Sequence, residues 1–96
     1  MTHYVKEKFG IAAEILSRDG SQQNRLLRAL KEVIHCAEGD FPTPELAERW
    51  QRILDEAAQA DSEMGRVPKT IAGMSLAERS ALERQLLDLA ERIASA

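Results

Sequence analysis

Glu32-x-x-His35 is the pattern in this 96-residue chain closest to working chemistry. A carboxylate and an imidazole at that spacing share a helix face, and some four-helix bundles use it on two helices, with further Glu from the others, to hold a pair of metal ions. Here it occurs once, and the only other histidine is His3. A projection at 100° per residue also turns it outward. With Leu30 at 0°, the apolar stripe of its helix spans about −60° to +60°, while His35 falls at about 140° and Glu32 at about 200°. A solvated face is the expected role of both, and neither a metal nor a cofactor is expected.

The other reactive groups combine no better. His35 and Cys36 are neighbours in sequence, so on a helix they diverge by about 100° and cannot pair as base and nucleophile. Cys36 falls at the edge of the stripe, which predicts a half-buried, inert thiol. His3 lies too near the start of the chain to be held rigidly. Gly65-x-x-Pro-Lys69 lacks the glycine spacing and the Lys-Ser/Thr ending of a phosphate loop. Carboxylates abound, but exposed charge is the ordinary dress of an amphipathic helix. No catalytic constellation emerges, no small-molecule substrate is evident, and the sequence reads as a non-enzyme.

One cluster of charge invites a binding role. Arg25, Arg28, Lys31 and His35 share the outer face of one predicted helix and form a candidate basic patch. A nucleic-acid-binding or transcription-regulating module would use such a face on phosphates. It lacks interleaved aromatics, and the net charge of −3 argues against nucleic acid as the main partner. The charge is uneven along the chain. Residues 1–36 carry six Lys/Arg against four Asp/Glu, and residues 37–96 carry seven against twelve. Mutual attraction between two oppositely biased halves accounts for this more simply than an acidic partner does.

The elements that must position these groups are helical. Ala, Leu, Glu and Arg dominate, with 44% hydrophobic and 30% charged residues in a length that suits one domain, 1–96. The clearest stretch is 43–58. Thr43 caps, Pro44 takes the first helical position and Glu45 favours the dipole. Leu46, Trp50, Ile53, Leu54 and Ala57 then follow at helical spacing. Trp50, the only Trp, is expected at the centre of the core. A first helix over about 2–17 carries one stripe of Val5, Phe9, Ala12, Ala13 and Leu16 and a second of Tyr4, Ile11 and Ile15. Gly10 interrupts it, which a close helix crossing would explain. Arg18-Asp19-Gly20 turns the chain, and Ser21 caps a second helix expected to reach Glu38, with Gly39 as its stop. Phe41 is expected to pack inward. Ser75 and Glu78 form a capping box before a last helix over 76–94. The fold class read from this is all-α, a four-helix antiparallel bundle with a long ordered loop, 61–74, before the last helix. Met64, Val67, Ile71 and Met74 are expected to pin that loop to the bundle.

The last helix has a main stripe of Leu82, Leu86, Leu89 and Ile93 and a shoulder that includes Leu76 and Leu87. Apolar surface thus exceeds the needs of one small bundle, and Tyr4, Ile11, Ile15, Leu76 and Leu87 are the candidate interface. With one cysteine no internal disulfide can form, and the opening residues have no apolar signal region, so the cytoplasm is the expected location. No apolar run approaches the roughly 18 residues of a membrane span. The function this implies is a small helical protein acting through protein–protein contacts, either with itself as a homodimer or with another protein.

Overall fold

The computed structural model describes residues 2–58, 71 and 73–96. These carry four α-helices: α1 (Thr2–Leu16), α2 (Gln22–Val33), α3 (Pro44–Ala58) and α4 (Leu76–Ser95). A 3-10 turn, Glu38–Asp40, links α2 to α3. The all-α fold is as expected, with no strand among the described residues. Of the expected loop 61–74, only Ile71, Gly73 and Met74 are described. Ile71 is helical and fully buried, and Met74 N–H donates to its carbonyl at 3.2 Å. The remainder of that segment lies outside the described residues.

The helix starts follow from capping chemistry. Orphan N–H groups of the first turn need acceptors, and a hydroxyl at the N-cap supplies one. Ser21 Oγ accepts from Asn24 N–H at 3.2 Å, and Thr43 Oγ1 accepts from Leu46 N–H at 3.2 Å. The capping box closes in both directions: Glu78 N–H donates to Ser75 Oγ at 3.1 Å, and Ser75 N–H donates to Glu78 Oε1 at 2.8 Å. Gly20, with φ of 125°, reverses the chain between α1 and α2 where an L side chain would be strained.

One end differs from expectation. α2 stops at Val33, five residues short of Glu38, and Gly39 lies within the 3-10 turn rather than ending a helix. The cause is local competition for backbone donors. The Asp40 carboxylate accepts from Ala37 N–H at 3.3 Å, and Cys36 N–H turns back to Val33 O at 3.1 Å. A short acidic side chain that can reach a nearby N–H offers the backbone an alternative to helix. The early stop lets Cys36 and Phe41 fold under the core, at 8% and 7% exposure.

α1 and α4 are the central pair, α4 packing on all three other helices. α1 packs on α2, α4 and the 3-10 turn, while α3 packs on α4 and the turn. Val5, Phe9, Ala12 and Leu16 are buried along it, and Ile15 joins them from the second stripe. Phe9 meets Phe41 edge-on at 5.9 Å and Trp50 edge-on at 5.6 Å, so the aromatic centre is Phe9, with Trp50 on its flank. Trp50 is buried as expected, at 3% exposure. Gly10 is exposed, and a Cβ built there would meet nothing within 4 Å, so no close crossing explains it. Among the described residues no polar or charged residue is buried.

Candidate functional site

The Glu32/His35 pair is taken apart by the early end of α2. His35 lies beyond the last helical residue and is exposed. Glu32 does not face solvent as projected. It is half-buried against α1, where Lys8 Nζ donates to Glu32 Oε2 at 3.4 Å. His3 is exposed beside Glu7, 3.9 Å away on the same helix. Among the described residues no three His, Cys, Asp or Glu gather as a metal ligand set.

Cys36 is more buried than the edge of a stripe implies, because the chain leaves the helix before it. Burial pushes its thiol up to about 11, the negative charge of Asp40 adds to this, and Lys8 opposes it. The thiolate is the nucleophile, so a group held protonated this far above neutrality is unreactive. Cys36, Ala47, Trp50, Gln51 and Leu54 line a hollow of about 180 Å³ on the α3 side of the connection.

The basic patch loses its first member to the fold. Arg25 Nη1 donates to Leu16 O at 2.6 Å and to Glu83 Oε1 at 3.3 Å, and its Nε donates to Gly20 O at 3.2 Å. The guanidinium therefore fastens α2 to the end of α1, to the turn and to α4. Its side chain is 21% exposed. A planar fork of five donors suits this task, since one group serves acceptors on three elements. Sequence reasoning missed the role because two of the three acceptors are backbone carbonyls, which no side-chain pattern reveals. Arg28, Lys31 and His35 remain exposed. Arg28 and Lys31 are two solvated charges, and exposed ion pairs are worth about 0–1 kcal/mol each.

The candidate interface residues divide. Ile15 belongs to the protein's own core at 6% exposure. Ile11 and Leu87 are half-buried and pack against that core. Tyr4 is 40% exposed, with Lys8 Nζ 5.7 Å from its ring centroid. Leu76 is 66% exposed. The four outward residues do not form one patch. Lys6, in the same turn of α1 as Tyr4, donates to the carbonyl of Ala96 at 2.7 Å, so that turn lies level with the last residues of α4, whereas Leu76 begins it. An α-helix of this length, 20 residues, spans about 30 Å.

A polar seam between α3 and α4 also escaped the sequence. The Asp88 carboxylate accepts from Arg92 Nε at 2.9 Å and from Arg49 Nη1 at 3.0 Å. The bond from Arg92 holds the Asp88 carboxyl below its ordinary value, and Arg49 adds to this. The Asp88/Arg92 spacing of four is legible as a helix pair, but the reach of Arg49 across from α3 is not. An open cleft runs beside this seam, lined by Thr43, Glu45, Asp88 and Arg92 among others. Of its charged lining, Asp88 and Arg92 bond each other, while Glu45 and Glu91 add carboxylates at its rim. No described helix is long and apolar enough to cross a membrane. No protein-family model, no curated protein and no solved structure matches the chain.

Proposed function

We propose that this chain is a small non-enzymatic helical protein of the cytoplasm that acts through protein–protein contacts, as a homodimer. The observation that carries the reading is Leu76, a large aliphatic side chain 66% exposed at the first position of α4. Ser75 and Glu78 clamp the backbone there from both sides. An apolar group on a pre-ordered terminus has little backbone freedom left to lose on association. Burying a leucine stabilises a contact by about 1.5–3 kcal/mol at most, so Leu76 needs neighbours. Leu87, eleven residues on and half-buried, falls about 20° from it round the helix and continues the same flank.

The monomer does not need a partner to close its core. Its accessible surface of 5794 Å² is close to the roughly 5500 Å² of a compact monomer of this mass. Association then serves function rather than folding, and a closed two-fold pair is its commonest form. The single free thiol, Cys36, suits a reducing compartment. The alternative, a nucleic-acid-binding module, has only Arg28, Lys31 and His35 to offer, because Arg25 is spent inside the fold.

Light scattering after size exclusion tests the reading. The wild type is expected at about twice its 10.7 kDa chain mass, and Leu76→Glu at the monomer mass with unchanged helicity. A wild type that stays at 10.7 kDa up to hundreds of micromolar protein overturns the homodimer. A dimeric Leu76→Glu variant removes this flank of α4 from it.

A further inference from the structure

We draw no further inference here: the strongest candidate, the hollow of about 180 Å³ beside the connection between α2 and α3 that Cys36 and Trp50 line, rests on a lone cysteine, and nothing among the described residues points to a ligand that would fill it.

Discussion

The two halves of α4 are held by different means. Its N-terminal half meets the α1–α2 turn through Arg25, which bonds Glu83 and two backbone carbonyls, and through Gln22, which donates to Ser80 at 3.1 Å. Its C-terminal half meets α3 through Asp88 and Arg49, whose side chains are 47% and 37% exposed. Beneath that seam α3 inserts Trp50 against Phe9. A guanidinium with little water around it is costly to remove when a partner is the carbonyl of a buried residue such as Leu16, which then loses its donor. An exposed Arg–Asp pair is screened by solvent and salt and contributes little, while Trp50 anchors α3 on Phe9 of α1. Similar residue types therefore carry different weight at the two ends of one helix.

The largest expected effects lie in the aromatic centre. Trp50→Ala and Phe9→Ala are each expected to cost roughly 3–5 kcal/mol in urea unfolding, as large-to-small core truncations do. Phe9→Ala should be the worse of the two, since it loses edge-on contacts to both Phe41 and Trp50. Unchanged stability in Trp50→Ala would show that Trp50 is not the apolar anchor of α3.

Arg25→Met is expected to cost about 1.5–3 kcal/mol, the range for hydrogen bonds made by a charged group, and to cost nearly as much in 0.5 M salt. Arg49→Met should cost less, and salt should erase the difference from wild type. Equal losses at low salt, both erased by salt, would mean that the two seams are alike.

The cap of α4 sharpens the N-terminal side. Ser75→Ala is expected to cost about 1 kcal/mol. Glu78 adds a pH-dependent part. The bonds to Ser75, the backbone one first, hold its carboxyl below the ordinary value. A lowered folded pKa contributes stability that is complete above the unfolded glutamate's titration, at about 4.3, and lost as pH falls through the folded value. Glu78→Gln should therefore be less stable than wild type at pH 7 and converge with it in acid. A gap that persists at low pH would show that charge is not what Glu78 brings.

The smallest effect expected is a gain. Gly10→Ala on the exposed back of α1 meets open space. It should raise stability by up to about 1 kcal/mol through helix propensity alone. Destabilisation would show that the back of α1 is not open at this position.

Three helix starts were legible because Ser21, Thr43 and the Ser75/Glu78 box act on N–H groups within three residues of themselves. The end of α2 was not, although Asp40 was in plain view, because its bond to Ala37 N–H competes with a helix that periodicity equally favours. Candidate site residues suffered more. Ile15 and Arg25 both projected outward, and packing turned them into a core residue and a clasp.

What the sequence determined by itself is the all-α class, the capped starts of α2, α3 and α4, and which residue types had to be buried. These depend on spacing of 3.6 residues and on bonds that span a single turn. Only the tertiary structure decided that α1 and α4 are the central pair, that Phe9 rather than Trp50 is the aromatic centre, and that Ile15 of the candidate interface turns inward. Those outcomes depend on which of several apolar faces meet. Burial is non-directional, so a helix with two apolar stripes has no local signal to say which neighbour covers which stripe.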